Sequence, residues 1–459
     1  MSTAFDAIII GTGQAGPPLA GRLTKAGMKV AVIERGLFGG TCVNTGCIPT
    51  KTMVASAYAA HIARRAGDYG VLDGAVRVDM KKVKARKDQI SGASRDGVES
   101  WLKNMANCTV YQGHGRFEGP HEVSIGDVRL TAERIFINVG GRAAIPNMPG
   151  LSDVPYLTNS SMMNVDFLPR HLVIVGGSYI GLEFGQMFRR FGSEVSIIEM
   201  GSRLIPREDE DAPAAIHDIL KNERINVHLN ATCTRLGRRG DDIVVTADCT
   251  GPATEIQGSH VLMATGRRPN TDDLGLEKAG IQADERGYIR VDDQLRTNVP
   301  GVWALGDCNG QGGFTHTSYN DFEIVAANLL DNDPRRVSDR IRAYALFIDP
   351  PLGRAGMTEA EVQKSGRKAL IGKRPMTKVG RAVEKGETQG FMKILVDAET
   401  REILGASLLG TGCDDVIHSI LDVMYARAPY TVIQRAMHIH PTVSELVPTM
   451  LGELQPLNA

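Results

Sequence analysis

Short apolar runs bounded by turn residues recur along the first two thirds of the chain. Residues 7–10, 30–33, 172–175 and 194–198 are mostly apolar runs of this kind. Such runs are typical of strands buried on both faces of a parallel sheet, and the longer stretches of mixed polarity between them predict crossover helices. We therefore expect an α/β architecture for this part of the chain.

The pattern changes from about residue 344. Residues 391–397 and 402–409 show the apolar alternation of strands, and residues 415–426 have helical periodicity. Strands followed by helices, without a glycine-rich turn of the nucleotide-binding type, predict an α+β domain at the carboxyl-terminal end.

The first glycine-rich turn has the form G-x-G-x-x-G. Gly11, Gly13 and Gly16 follow the strand at 7–10, and Glu34 ends the next strand 18 residues after Gly16. Glycines at these positions permit a tight turn and a close approach of backbone to pyrophosphate, while the acidic residue accepts hydrogen bonds from ribose hydroxyls. Because strand, turn, helix and acidic residue occur in the required order, we predict a dinucleotide site here.

A second turn of this type begins about 165 residues later with Gly176 and ends with Gly181. Ser178 takes the place of the middle glycine, and Glu199 ends the following strand. A carboxylate at that position bonds a free 2′-hydroxyl and repels a 2′-phosphate, so NAD is favoured over NADP. Arg203 and Arg207 lie close enough in sequence to weaken this preference.

Three further strand ends open on glycine. Gly140 follows an apolar run, Gly266 follows another, and Gly306 precedes Asp307 after residues 302–305. A strand ending in Gly-Asp is by itself more often a simple turn. Because this strand end belongs to a series of three, we favour the interpretation that the Asp307 carboxylate contacts a flavin's ribityl chain.

Cys42 and Cys47 lie in a segment, residues 39–51, that begins five residues after Glu34. Two thiols are thus delivered beside a predicted nucleotide cofactor, which is the layout of a flavin-coupled redox disulfide. The C-x4-C spacing, with no second Cys or His pair nearby, lacks the ligand pattern of a zinc site, so we predict no metal.

Composition limits the remaining possibilities. A chain of 459 residues exceeds what one core usually organises, so several domains are expected. The chain has 52 Lys plus Arg residues and 53 Asp plus Glu residues. Its net charge is therefore close to zero and provides no positive electrostatic potential to attract nucleic acid or acidic lipid. The first residues have no positively charged n-region, and no stretch reaches the roughly 18 apolar residues of a membrane span. We expect a cytoplasmic protein that binds neither nucleic acid nor membranes.

Taken in order, these motifs resemble those of the class I pyridine nucleotide-disulfide oxidoreductases, which include dihydrolipoamide dehydrogenase, glutathione reductase and mercuric reductase. The matching motifs are residues 42–51, both glycine turns, residues 264–266, Gly306 with Asp307, and His440-Pro441-Thr442 with Glu445.

The resemblance implies an α/β fold of two Rossmann-like three-layer nucleotide-binding domains plus a C-terminal α+β dimerisation domain. It implies FAD binding by residues 1–150 and 271–343, NAD(P)H binding by residues 151–270, and dimerisation through residues 344–459. It also implies a homodimer whose active site is shared across the interface.

For the cysteine pair the resemblance implies distinct roles. Cys47 would be the charge-transfer thiolate against the flavin, and Cys42 the interchange thiol that meets the acceptor. Lys51 would lie near the flavin N5 with Glu183 as its ion-pair partner.

Tyr179 would be the aromatic gate of the nicotinamide pocket, and His440, oriented by Glu445, would carry the proton of thiol–disulfide exchange. The residues expected to contact the two cofactors are Gly11, Gly13, Gly16, Glu34, Gly40, Thr41, Gly140, Gly176, Gly181, Glu199, Gly266, Gly306 and Asp307.

The electron acceptor has several candidates. Mercuric reductases share the segment around Cys42, but they typically end in a vicinal cysteine pair, and here the last cysteine is Cys413. Dihydrolipoamide dehydrogenases share the region around His440 and the acidic Glu199. Other segments, such as residues 349–359, resemble mercuric-reductase-like flavoproteins tied to reactive-chlorine resistance, some of which reduce hypothiocyanous acid. We favour this last branch; a non-catalytic flavoprotein subunit is the alternative of another class.

Overall fold

The computed structural model describes residues 2–71, 74–248 and 254–457. Its first sheet has seven strands, in which the parallel part is extended on one side by antiparallel strands. In spatial order the strands are Cys108–Gln112, Val30–Glu34, Ser2–Ile10, Val128–Ile137, Glu122–Ile125 and Gly115–Gly119, with Val302–Ala304 also paired to Val128–Ile137. The associated helices are Gly16–Lys25, Gly40–Asn44, Cys47–Arg64, Met80–Lys103, Leu276–Ala279 and Thr315–Ala326.

Burial explains why these strands are apolar along their whole length. Every residue of Val30–Glu34 is buried, and Leu19 and Leu23 of the helix Gly16–Lys25 are fully buried in the same core as Ile9. Helices cover the faces of a parallel sheet, so alternation with polar residues is lost. Pro17 lies in the first turn of Gly16–Lys25, where a missing N–H costs little.

The second sheet is parallel and has four strands. They are Asn226–His228, Glu194–Ile198, His171–Val175 and His260–Met263 in spatial order. Its helices are Asn159–Met162, Tyr179–Phe191 and Asp211–Asn222. An antiparallel sheet of Thr232–Arg239, Asp242–Asp248 and Thr254–Gly258 packs beside it.

Two short strands mark the crossings between these sheets. Gly141–Ala143 pairs antiparallel with Arg267–Pro269, so the chain leaves the first sheet and returns to it through one ribbon. The strand Val302–Ala304 then completes the first sheet beside Val128–Ile137. The second sheet is therefore inserted in sequence within the first.

The third sheet is antiparallel. Its strands are Ala343–Leu346, Leu352–Gly356, Ile403–Leu409, Phe391–Asp397, Ala369–Pro375 and Gln455–Pro456 in spatial order. Its helices are Glu359–Lys364, Gly380–Glu384, Cys413–Tyr425, Thr431–Gln434 and Leu446–Leu451.

The predicted fold class is confirmed: two units with parallel nucleotide-binding sheets precede an α+β unit. The proposed domain limits at residues 150, 270 and 343 stay a prediction. Within the described ranges, no helix combines the length and the hydropathy required to cross a bilayer.

Candidate active site

The first glycine turn is shaped by backbone contacts that exclude side chains. Gly11 has φ +103°, and a Cβ there would lie 2.3 Å from the carbonyl oxygen of Asn138. A Cβ on Gly16 would lie 2.4 Å from the carbonyl oxygen of Gly11. Any larger residue would open the turn, which supports the predicted use of this site for a pyrophosphate.

Glu34 is bound to the turn that it follows in sequence. Its Oε2 accepts hydrogen bonds from the backbone N–H of Thr12 at 2.9 Å and from the Thr12 hydroxyl at 2.6 Å, and its Oε1 accepts from Gly36 N–H at 2.7 Å. The carboxylate is thereby fixed at the strand end, where a ribose is expected, and has lone pairs left for a hydroxyl.

Asn138 holds the first turn from another strand. Its Oδ1 accepts from Gly16 N–H at 3.1 Å, and its Nδ2 donates to the carbonyl of Leu305 at 2.9 Å. Asn138 was not predicted from the sequence; the available signal was a polar side chain within the apolar run of residues 135–139.

The second turn repeats this construction. Gly176 has φ +116°, and a Cβ there would meet the carbonyl oxygen of Ala264 at 2.4 Å; at Gly181 it would lie 2.0 Å from the carbonyl oxygen of Gly176. Glu199 accepts from Gly177 N–H at 2.7 Å and from Gly201 N–H at 2.8 Å. The two glycine turns therefore share one design, in which a carboxylate at the end of the following strand bonds the backbone of the turn.

The strand ends around Asp307 meet near the first turn. Asp307 forms an ion pair of 3.0 Å with Arg267, whose guanidinium also donates to the carbonyl of Gly141 at 2.7 Å. Gly140 and Gly266 have positive φ, and a Cβ on either would stand in open space. This cradle of glycine backbone, with a carboxylate at its edge, fits a flavin nucleotide; Arg267 was not predicted.

The two thiols lie on consecutive helices, the first of which packs against the first turn. Cys42 is on the helix Gly40–Asn44, as is Thr41, and Cys47 begins the helix Cys47–Arg64. A Cβ on Gly40 would be 2.9 Å from the Cα of Gly13, which brings the thiol segment against the nucleotide turn. Both cysteines are free thiols, so the structure describes the reduced form of the pair.

The two thiols differ in acidity. A hydrogen bond donated by Cys42 lowers the pKa of Cys47 to about 6, with further lowering by Thr315 and the charge of Lys51. The same bond, together with burial, raises the pKa of Cys42 far above its usual range. At neutral pH the reduced pair is therefore one thiolate, on Cys47, and one thiol, on Cys42.

The Cys47 sulfur contacts one hydroxyl and is influenced by the charges of one ion pair. Its Sγ lies 3.1 Å from the Oγ1 of Thr315, the first residue of the helix Thr315–Ala326. Lys51 forms an ion pair of 2.5 Å with Glu183, and Glu183 also accepts from the backbone N–H of Phe347 at 3.0 Å. The Lys51–Glu183 pair implied by the resemblance is thus formed, whereas Thr315 was not predicted.

Tyr179 begins the helix Tyr179–Phe191, directly after the second turn. Burial raises the pKa of its hydroxyl to about 12, so the ring remains neutral. Its ring packs perpendicular to the rings of Phe314 and Tyr344. These contacts join the start of this helix to the helix Thr315–Ala326 and the strand Ala343–Leu346.

His440 and Glu445 form a pair at the far end of the chain. The His440 Nδ1 is 2.9 Å from a carboxylate oxygen of Glu445, which leaves Nε2 directed elsewhere. The imidazole is 80% exposed. Within one chain, the hydrogen bonds and ion pairs of the described residues do not join His440 to either cysteine.

Family comparison agrees with this geometry. Residues 5–321 match the pyridine nucleotide-disulphide oxidoreductase family, and residues 343–451 match its dimerisation domain. The chain is 36% identical to the probable pyridine nucleotide-disulfide oxidoreductase RclA of Escherichia coli, over 96% of this chain and 97% of that protein. It is 33% identical to a mercuric reductase of Streptomyces lividans, covering 96% and 94% of the two chains.

A dihydrolipoyl dehydrogenase of Cupriavidus necator is 31% identical, over 97% of each chain. Among solved structures, the HOCl-induced flavoprotein disulfide reductase RclA from Escherichia coli superposes with a TM-score of 0.89 at 35% identity, covering 97% of this chain and 99% of the other. The chain therefore belongs to the class I pyridine nucleotide-disulfide oxidoreductases, enzymes that use FAD and NAD(P)H.

Proposed function

We propose that this enzyme takes electrons from NADH and passes them through FAD and the Cys42–Cys47 pair to a small oxidant of the hypohalous-acid type, with hypothiocyanous acid as the acceptor. The observation that carries the proposal is the surroundings of the second thiol: the Cys47 Sγ lies 3.1 Å from the Thr315 hydroxyl, and this contact together with the charge of Lys51 lowers the pKa of Cys47. The similarity to RclA, described as HOCl-induced, supports the acceptor class.

The roles of the residues follow from their chemistry. FAD, held by the first glycine turn and the cradle beside Asp307, would supply the redox chemistry that carries two electrons from the nicotinamide to the Cys42–Cys47 disulfide. Cys42 then attacks the sulfur of hypothiocyanous acid, forming an S–S bond to the thiocyanate group and expelling hydroxide, which leaves as water. Cys47 attacks the Cys42 sulfur, thiocyanate leaves, and the disulfide is restored, so that NADH is oxidised and one molecule of acceptor is reduced.

Cys42 needs a base, because its raised pKa keeps it protonated at neutral pH. We assign that role to His440, with Glu445 accepting from Nδ1–H and leaving Nε2 free to take the thiol proton. Lys51, paired with Glu183, holds positive charge near the Cys47 thiolate.

We further propose a homodimer in which His440 acts on the partner's cysteines. Met437 and Ile439, beside His440, are 98% and 79% exposed, and a family dimerisation domain covers this segment. Large apolar side chains with such exposure are expected to be covered by another surface. A cytoplasmic location is proposed as well, because the nicotinamide donor is a cytoplasmic metabolite.

The test is anaerobic stopped-flow reoxidation of the NADH-reduced enzyme by hypothiocyanous acid, lipoamide and mercuric ion, with Cys42→Ser in parallel. Fast reoxidation by hypothiocyanous acid that is lost in Cys42→Ser, with little reaction of lipoamide, supports the proposal. Fast, Cys42-dependent reaction with lipoamide instead would establish a dihydrolipoamide dehydrogenase.

Dihydrolipoamide dehydrogenase is the second candidate because the His440–Glu445 pair and the NAD-type Glu199 are both present. The non-catalytic alternative is not favoured, since a scaffold has no need of a thiol of lowered pKa beside a Lys51–Glu183 pair.

A further inference from the structure

Three aromatic rings from distant parts of the chain meet beside the second glycine turn. The ring of Tyr179 lies edge-on to Tyr344, with centroids 5.7 Å apart and planes at 89°, and edge-on to Phe314 at 6.1 Å. Phe314 and Tyr344 are stacked at 5.5 Å with planes at 12°. Tyr179 therefore rests against a two-ring platform.

The Phe314 ring is connected through His316 to the strand Ala343–Leu346. His316 stacks on Phe314 with centroids 5.3 Å apart, and its Nε2–H donates to the carbonyl oxygen of Ala343 at 2.7 Å. Burial lowers the pKa of His316, which keeps this imidazole neutral. The third sheet thus fixes Phe314 through the residue that stacks on it.

The Tyr344 ring is held in place by a buried carboxylate. The Tyr344 hydroxyl donates to Oε1 of Glu208, which is 2% exposed. The other oxygen, Oε2, has no hydrogen-bond partner among the described residues, and it lies 3.6 Å from the guanidinium of Arg354, which is 1% exposed.

Arg354 does not satisfy the remaining hydrogen-bonding capacity of the Glu208 carboxylate. Its NH1 donates to Asp209 at 3.1 Å, while its Nε and NH2 have no hydrogen-bond partner in the described part of the chain. Among the described residues, Tyr344 provides the one side-chain hydrogen bond to the buried Glu208 carboxylate, so moving Tyr344 would be costly. The position of the Tyr344 ring is therefore strongly determined.

We propose that Tyr344, anchored by Glu208, is a positioning residue that fixes the ring of Tyr179 for entry of the hydride donor. The inference rests on the proposed role of Tyr179 as the nicotinamide gate. It assigns to the third sheet, through Tyr344, a contribution to the reductive half-reaction in addition to dimerisation.

The experiment is a double-mutant cycle on the holoenzyme, with Tyr344→Phe, Tyr179→Leu and the double variant. Two quantities are measured: the rate of flavin reduction by NADH in an anaerobic stopped-flow instrument, and the dissociation constant of NAD⁺ from the oxidised enzyme. Tyr344→Phe keeps the ring and removes the hydrogen bond, so we expect about tenfold slower reduction and weaker NAD⁺ binding in the wild-type background. We expect no further change in the Tyr179→Leu background.

Tyr58→Phe is the matched control, because Tyr58 also donates to a carboxylate, that of Glu387, at 2.9 Å, without contacting the three rings. It should leave both quantities unchanged. Reoxidation of dithionite-reduced Tyr344→Phe by the acceptor should also match the wild type.

Equal slowing by Tyr344→Phe in both backgrounds, or none in the wild-type background, would overturn the proposal. If Tyr344→Phe does not fold, Glu208→Leu and Glu208→Gln replace it. Glu208→Gln retains an acceptor oxygen for Tyr344 and should preserve the rate of reduction, whereas Glu208→Leu should slow it only when Tyr179 is present. These readouts precede the acceptor, so an enzyme reduced by NADH but inert toward hypothiocyanous acid would refute the proposed function alone.

Discussion

The sulfur of Cys47 lies 3.1 Å from the hydroxyl oxygen of Thr315, although 268 positions separate the two residues in sequence. The hydroxyl stabilises the Cys47 thiolate, and Thr315 also begins a helix whose N-terminal N–H groups favour negative charge. The contact therefore joins the helix Thr315–Ala326 to the redox chemistry.

Replacement of Thr315 by valine should raise the pKa of Cys47. One hydrogen bond to a charged group contributes roughly 1.5–3 kcal/mol, so the expected rise is about 1 to 2 pH units. The measurement is a pH titration of the long-wavelength charge-transfer absorbance of the two-electron-reduced enzyme, whose wild-type midpoint we expect near the Cys47 pKa of about 6.

In this titration the thiolate is present above the pKa of Cys47 and is lost as the pH falls through it, so a raised pKa moves the midpoint upward. Thr315→Ser keeps the hydroxyl and should retain the wild-type midpoint. A valine variant with an unchanged midpoint would show that Thr315 does not stabilise the thiolate.

Lys51 and Glu183 should shift the same midpoint in opposite directions. The charge of Lys51 lowers the pKa of Cys47 and the charge of Glu183 raises it. Lys51→Met should therefore move the midpoint up, and Glu183→Gln should move it down. Lys51→Arg, which keeps the positive charge, is the control, and shifts of equal sign in the two neutral variants would contradict the electrostatic account.

Mixed dimers test whether the active site is shared between subunits. Neither Cys42→Ser nor His440→Gln alone should turn over the acceptor well, since loss of a general base costs roughly 10²- to 10⁴-fold. Random mixing makes about half of the dimers hybrid, each with one intact site, so about a quarter of wild-type activity should return.

The control mixture combines Cys42→Ser with Cys47→Ser. Both substitutions damage the cysteine pair of the chain that carries them, so no hybrid has an intact site. Recovery in the control, or none in the first mixture after subunit exchange is verified by mass spectrometry, would refute a site shared in this way.

Glu199 should determine the choice of nicotinamide donor. Its carboxylate is fixed by Gly177 and Gly201, in position to bond a 2′-hydroxyl and repel a 2′-phosphate. Glu199→Gln removes the charge, and the preference for NADH over NADPH in kcat/KM should fall about tenfold, the value of one charge-assisted hydrogen bond. A wild-type enzyme that already prefers NADPH would contradict this assignment.

Local motifs account for what the sequence could predict. The glycines of both turns, Glu34, Glu199 and the two cysteines each lie in a short segment whose spacing reflects a single strand–turn–helix unit. By contrast, Asn138 is 122 positions from Gly16, and Thr315 is 268 positions from Cys47. Contacts of that range depend on how whole units pack, which no local spacing encodes.

The hairpin of Thr232–Arg239 and Asp242–Asp248 was not predicted either, but for a different reason. Its two-residue loop, Gly240-Asp241, is a local hairpin signal that was overlooked. The roles of His440 and Glu445 rested on family resemblance alone, and only the hydrogen bond between them is visible in a single chain.

The insertion of the second sheet within the first also determines the order in which the two sheets can form during synthesis. Val302–Ala304 pairs with Val128–Ile137, so the first sheet cannot be completed until the whole inserted unit has left the ribosome. The inserted unit has all of its own strands by Met263 and can fold earlier. At about 5–20 residues per second, the unfinished first sheet waits for roughly ten to thirty seconds with an exposed strand edge. Slow folding of the insertion would prolong that exposure, so aggregation during synthesis is the expected first symptom of a destabilised second sheet.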